Sequence, residues 1–196
     1  MGDHKVSQRA VFLDRDGVLN RPVVRDGVPF PPANADELVL YPDVAEGCRR
    51  LKEAGFLLIV VTNQPDVGRG TQTLDGVEGI HVKLRETVPH LDGIETCFHA
   101  GASRGEPCDC RKPKPGMLLH AATVHGIDLK RSFLVGDRWR DVDCAHAAGC
   151  RAVFIDHGYR EALREKPEFS AATFREAVNT ILEAAQNQLS DSENRD

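Results

Sequence analysis

Six consecutive apolar residues, Phe56-Leu57-Leu58-Ile59-Val60-Val61, set the tightest limit on what this chain can become. A short, uniformly apolar run that follows Gly55 and ends in the polar Thr62-Asn63-Gln64 suits a strand buried on both faces. Strands of that kind belong to parallel sheets, and a parallel neighbour can be reached only by a long crossover, usually a helix. The pattern recurs. Shorter apolar segments at 10–13, 94–98, 132–136 and 151–155 read as further strands. Between them, apolar residues at helical spacing predict helices from 44 to a stop at Gly55, over 74–88, 117–125 and 141–148, and finally over 174–185. Alternation of this kind predicts an α/β fold, a Rossmann-like doubly wound parallel sheet with helices on both faces.

At 196 residues one domain is the default, spanning 9–185, with a loose polar stretch at 1–8 and a polar, disordered tail at 186–196. The segment 21–34 holds Pro22, Pro29, Pro31 and Pro32, which argues for a loop or small flap and against a helix. A net charge of -5 gives no electrostatic case for nucleic acid or an anionic membrane as partner. No apolar run approaches the ~20 residues that span a bilayer, and no signal-peptide core follows the first residues. The expectation is a cytoplasmic monomer acting on a small molecule.

In a doubly wound sheet, ligands bind beyond the carboxyl ends of the strands. Three predicted strands deliver a polar group there directly: Asp14, Thr62 and Asp137. The first strand ends in Asp14-Arg15-Asp16-Gly17. Two carboxylates one residue apart repel unless a cation lies between them, and oxygen ligands of this kind suit Mg²⁺. Blander readings exist for each group. The acids fit a polar surface turn, Thr62 a helix N-cap, and Asp141 the positive end of its own helix.

The cysteines carry a second signal. Cys97-Phe98-His99 and Cys108-Asp109-Cys110 offer three thiolates and an imidazole, enough to close a tetrahedral structural Zn²⁺ site. Free buried thiols or a disulfide are the alternatives. The loop between the two pairs is small and polar, with little to fold around without a metal.

Phe12-Leu13-Asp14-Arg15-Asp16-Gly17-Val18-Leu19-Asn20, Thr62, Lys112 and Gly136-Asp137-Arg138-Trp139-Arg140-Asp141 resemble, in order, the four motifs of the haloacid-dehalogenase-like phosphatases. The cysteine loop, the run from Cys110 to Met117, and Val61-Thr62-Asn63-Gln64 followed by Gly68-Arg69-Gly70 are similar to one branch of them. That branch is the D-glycero-D-manno-heptose-1,7-bisphosphate phosphatases, relatives of the histidinol-phosphate phosphatases. The resemblance spans about 11–155 and implies no large cap domain.

It also implies roles. Asp14 would be the nucleophile and Asp16 the general acid/base, with Mg²⁺ held by Asp14, Asp137 and the main-chain carbonyl of Asp16. Thr62 and Lys112 would stabilise the phosphoryl group, and Cys97, His99, Cys108 and Cys110 would hold Zn²⁺. Asn63, Gln64 and Arg111 would meet the substrate. Asp141 would orient Lys112 or hold metal-bound water. A bisphosphate needs a second anion site, for which Arg69, Arg111, Lys114 and Arg138 are the cations on offer. Pro65, where the family usually has serine, falls where substrate identity is decided. The reading is therefore a Mg²⁺-dependent sugar-phosphate phosphatase that removes the 7-phosphate of the heptose bisphosphate. The alternatives are a histidinol-phosphate phosphatase, a broader sugar-phosphate phosphatase, or a zinc-stabilised non-catalytic binding module.

Overall fold

The computed structural model of the protein describes residues 7–25, 28–105 and 107–193. In chain order the elements are β1 (Arg9–Leu13), β2 (Val23–Arg25), β3 (Val28–Phe30), α1 (Val44–Glu53), β4 (Phe56–Asn63), α2 (Pro65–Gly68) and α3 (Leu74–Thr87). They continue with β5 (Gly93–Cys97), α4 (Gly116–His125), β6 (Phe133–Gly136), α5 (Trp139–Ala148), β7 (Arg151–Ile155), β8 (Phe169–Ala171) and α6 (Phe174–Glu193).

Six strands form one sheet in the order β5-β4-β1-β6-β7-β8, and every neighbouring pair is parallel. The chain winds outward from β1 through β4 to β5, then returns to β6 on the other side of β1. The carboxyl edge between β1 and β6 is thus the switch point, where a crevice opens for a ligand. The Asp14 amide donates to the Val135 carbonyl at 2.9 Å, so the β1–β6 ladder runs up to the first acid.

Alternate residues of β1 serve opposite faces, as the pleat requires. Val11 and Leu13 pack with Leu51 of α1, Ile80 and Leu84 of α3, and Val178 and Ile181 of α6. Ala10 and Phe12 pack with Met117 and Leu118 of α4 and with Val142 and Ala145 of α5. Both faces of the sheet are therefore covered, and the apolar run of β4 is buried on both sides, as its composition requires.

Several boundaries differ from expectation. The proline-rich segment does not: it forms the small flap expected of it, β2 antiparallel to β3, with Val23 opposite Phe30. Residues 1–6 of the expected loose N-terminus lie outside the described residues. Gln8 is tied down: its amide donates to Gly126 O at 3.0 Å, and its carbonyl accepts from the Asp128 amide at 2.7 Å. Helix α6 continues to Glu193, past the expected stop at Ala185, because nothing between Gln186 and Glu193 is a glycine or proline to end it. Residues 194–196 of the expected tail lie outside the described residues. The strand β8 was not foreseen; it adds a three-residue edge beside β7. Among the described residues no helix is long and apolar enough to cross a membrane.

Candidate active site and metal centres

The loops beyond β1, β4 and β6 meet over the switch point and line a cleft of about 230 Å³. Asp14, Asp16, Thr62, Asn63, Gln64, Arg111, Lys112, Asp137 and Arg138 all contribute to it, so most of the residues singled out in the sequence converge. Arg69 and Lys114 are not in its lining. Arg69 pairs with Asp66 at 3.2 Å, and Lys114 binds Asp109 at 2.9 Å and the Cys108 carbonyl at 2.7 Å.

Two glycines make the convergence possible. Gly17 has φ +87°, a conformation that side chains resist, and a Cβ there would overlap Asp137 Oδ2. A Cβ on Gly136 would overlap the Asp141 side chain. Any larger residue at either position would force the carboxylates apart.

Asp14, Asp137 and Asp141 are buried and each offers a carboxylate oxygen within 4.8 Å of the others. Among them lies the Lys112 ammonium, 2.9 Å from Asp14 Oδ1 and 2.6 Å from Asp141 Oδ1. Asp141 Oδ2 also accepts the Arg138 amide at 3.1 Å, in a capping box at the start of α5. Asp141 thus meets Lys112 through one oxygen, as an ion pair, and the start of α5 through the other. Asp137 Oδ1 is also buried without a hydrogen-bond partner and, unlike Asp141 Oδ1, has no ion-pair contact with Lys112 among the described residues. An orphaned buried carboxylate oxygen beside Asp14 is what a divalent cation would satisfy.

Charge crowding shows in the acidities. Burial pushes the Asp14 carboxyl up to about 7; Lys112 opposes the rise and Asp141 adds to it. Burial, with Asp14 and Asp141 as neighbours, pushes Asp137 up to about 8. The Lys112 ammonium is raised, because its two aspartates outweigh the cost of burying it. A cation at Asp14 and Asp137 would relieve this repulsion. The residues present therefore fit Mg²⁺.

Asp16 lines the same cleft but is held by a different set of partners. Its carboxylate accepts from Arg15 Nη2 at 2.9 Å, Asn20 Nδ2 at 3.0 Å and Gln64 Nε2 at 2.9 Å. Burial disfavours its charged form, but the Arg15 charge and these donors outweigh burial and hold the carboxyl below its ordinary value. Arg15 is wholly buried, and its Nη1 lies 3.3 Å from His81 Nε2 on α3. A guanidinium can only donate, so His81 accepts there with its proton on Nδ1. Burial and the nearby charges of Arg15 and Arg85 lower the His81 constant to about 4, which keeps it neutral.

The structure redistributes the residues after β4. Gln64 Nε2 donates to Thr62 Oγ1 at 2.8 Å as well as to Asp16, so it ties two site residues together. Asn63 clamps the backbone of Lys112: its Nδ2 donates to the Lys112 carbonyl and its Oδ1 accepts the Lys112 amide, each at 3.1 Å. Arg15, His81, Arg140 and Tyr159 escaped the sequence reading. Asn20 stood in the first motif without an assigned role. Arg140 also lay inside a recognised motif, but only as a spacer. Tyr159 lines the cleft from the loop after β7.

Cys97, His99, Cys108 and Cys110 form one cluster. Cys97 Sγ lies 3.8 Å from Cys108 Sγ and 3.5 Å from His99 Nδ1, and Cys110 Sγ lies 3.3 Å from His99 Nδ1. A tetrahedron with Zn–S of about 2.3 Å and Zn–N of about 2.0–2.1 Å has edges of about 3.8 Å between sulfurs and about 3.5 Å from sulfur to nitrogen. The cluster could hold zinc with no position left open. Gly116 lets the loop close, since a Cβ there would overlap the Asp109 carbonyl.

Comparison with known proteins agrees with this geometry. A curated relative from Pseudomonas aeruginosa, named D-glycero-beta-D-manno-heptose-1,7-bisphosphate 7-phosphatase, is 38% identical over 157 residues, covering 78% of this chain and 84% of the relative. The chain belongs to this family of haloacid-dehalogenase-like phosphatases. A further member, the D-glycero-D-manno-heptose-1,7-bisphosphate 7-phosphatase of Thermosynechococcus vestitus, is 34% identical over 191 residues, covering 88% of this chain and 94% of the relative. The family model described as HAD-hydrolase-like matches residues 109–184. The crystal structure of D,D-heptose 1,7-bisphosphate phosphatase from B. bronchiseptica, complexed with magnesium and phosphate, matches with a TM-score of 0.76 at 28% identity. It covers 91% of this chain and 100% of that one. The haloacid-dehalogenase-like fold expected from the motifs is the fold observed.

Proposed function

We propose that this protein is a Mg²⁺-dependent phosphatase that removes the 7-phosphate of D-glycero-D-manno-heptose 1,7-bisphosphate through an aspartyl-phosphate on Asp14. One observation carries the chemistry: the partnerless Asp137 Oδ1 buried beside Asp14 at the switch point, with Lys112 against the same carboxylate. The names of the relatives supply the substrate.

Asp14 attacks phosphorus, and the bond from phosphorus to the sugar oxygen breaks. Asp16 gives that oxygen its proton, then takes a proton from the water that hydrolyses the acyl phosphate. The five hydrogen bonds that Asp16 now accepts, from Arg15, Asn20 and Gln64, favour its ionised form, as the second half-reaction needs. The negative charge of an arriving phosphoryl group favours the protonated form, as the first half-reaction needs. Thr62 Oγ1 already accepts from Gln64, so its own hydrogen is free to donate to a phosphoryl oxygen. Lys112 offsets charge on Asp14 and on the transferring group. Asp14, Asp137 and the main-chain carbonyl of Asp16 would hold Mg²⁺, which would neutralise the carboxylates and the phosphoryl oxygens. Zinc at the cysteine cluster would fix the loop that presents Arg111 and Lys112.

Steady-state phosphate release from the heptose bisphosphate and from histidinol phosphate tests the reading, with Asp14→Asn as control. The bisphosphate is expected to be preferred and the variant to be inactive. Preference for histidinol phosphate would overturn the substrate, and a variant as active as wild type would overturn the nucleophile.

A further inference from the structure

A bisphosphate brings a second anion, and the cations that could receive it are not equally free. Of those named from the sequence, Arg69 is paired with Asp66 and Lys114 with Asp109, and neither lines the cleft. Arg138 lines it, but its Nε is bound to Glu161 and its guanidinium lies 5.2 Å from the centre of the Tyr159 ring. Arg111 remains: among the described residues it has no carboxylate partner, only the His99 carbonyl at 3.5 Å. A fifth cation lies in the same lining, Arg140 in the first turn of α5. Its guanidinium lies 5.9 Å from the centre of the Trp139 ring, but its Nη2 is 3.7 Å from Glu161 Oε1, too long for a hydrogen bond, and its Nε is buried with no acceptor. Arg140 stands near enough to Arg111 for their charges to repel. Two under-used arginines facing one cleft leave an unmet demand for negative charge. Glu161, held by Arg138, orients Arg140 without saturating it.

We propose that Arg140, acting with Arg111, binds the phosphate that is not cleaved and so sets the preference for bisphosphates over monophosphates. The inference rests on the bisphosphate reading above. An arginine on a helix is a good anchor for such a role, because its rigid fork can give a phosphate two parallel hydrogen bonds.

The test compares kcat/KM for D-glycero-D-manno-heptose 1,7-bisphosphate and for the corresponding 7-phosphate, in wild type, Arg140→Gln and Arg140→Lys. Losing a charged hydrogen-bond pair should lower the bisphosphate-to-monophosphate ratio by about tenfold to a hundredfold in Arg140→Gln. Arg140→Lys should keep part of the preference, through charge without the fork. A wild-type preference that survives Arg140→Gln, or an equal loss on both substrates, overturns the assignment of Arg140 alone. A wild type that does not distinguish the two substrates overturns the bisphosphate reading and this inference with it.

Discussion

Removing magnesium should make this protein less stable as the solution becomes more alkaline. The cause is the crowding of Asp14 and Asp137, whose carboxyls are raised to about 7 and about 8 by burial and by neighbouring carboxylates. In the unfolded chain both titrate near 3.9. Between pH 6 and 8 the folded protein therefore holds more protons than the unfolded one, and stability falls as pH rises through that window. Each extra proton gives a slope of about 1.4 kcal/mol per pH unit, and with nearly two held at pH 6 and about half of one at pH 8 the loss over two units is about 4 kcal/mol. His81 acts in the opposite sense. It is neutral when folded, with its constant lowered to about 4, but it titrates near 6.5 unfolded, which offsets less than about 1 kcal/mol across the same window. The assay is urea unfolding of protein desalted into magnesium-free buffer without chelator, repeated at several pH values with and without Mg²⁺. Magnesium should flatten the slope if, as proposed, it binds the deprotonated pair. Asp137→Asn removes one raised group, so the variant should lose about half the slope and, at pH 8, outlast wild type in the absence of magnesium. A magnesium-free wild type equally stable at pH 6 and 8, or an Asp137→Asn variant with an unchanged slope, would refute the reasoning.

Lys112→Met should cost about 3–5 kcal/mol of stability, since it leaves Asp14 and Asp141 buried without their cation, and should lower kcat at least a hundredfold; urea titration and turnover of the heptose bisphosphate check both. Elemental analysis should find about one zinc per chain, and Cys108→Ser should lose that zinc and lower the thermal midpoint, whereas a zinc-free protein with an unchanged midpoint would remove the metal from the cluster. His81→Phe should destabilise by about 1–3 kcal/mol, because Arg15 Nη1 loses its acceptor at a fully buried position, and should lower kcat by loosening Asp16 while KM changes little. An unchanged kcat would confine His81 to packing.

What could be read in the chain, and what could not, divides by the range of the interactions involved. The strands β1, β4, β6 and β7 were legible because burial on both faces demands uninterrupted apolar residues, a local signature. The edge strand β8 was not, since at three residues, with only Ala171 buried, it carries no such run. The acids of the cleft were legible because each follows a strand directly. Lys112, the cation beside them, was legible from its motif, but the groups that hold the site's cations were not, because they come from far along the chain: His81 reaches Arg15 across 66 residues, Asn63 reaches Lys112 across 49, and Glu161 reaches Arg138 across 23. Asn63 and Gln64 show the consequence. Their place after β4 marks them as facing a ligand, yet their amides are bound to Lys112, Thr62 and Asp16. Asn63, with both ends of its amide bound, and Gln64, with both Nε2 hydrogens given to protein, have less to offer a sugar than free amides would. The same reasoning moves Arg138 from available cation to bound cation and brings Arg140 forward. Motif position identifies which side chains reach the crevice; only the competition among their neighbours decides which still have a bond to give.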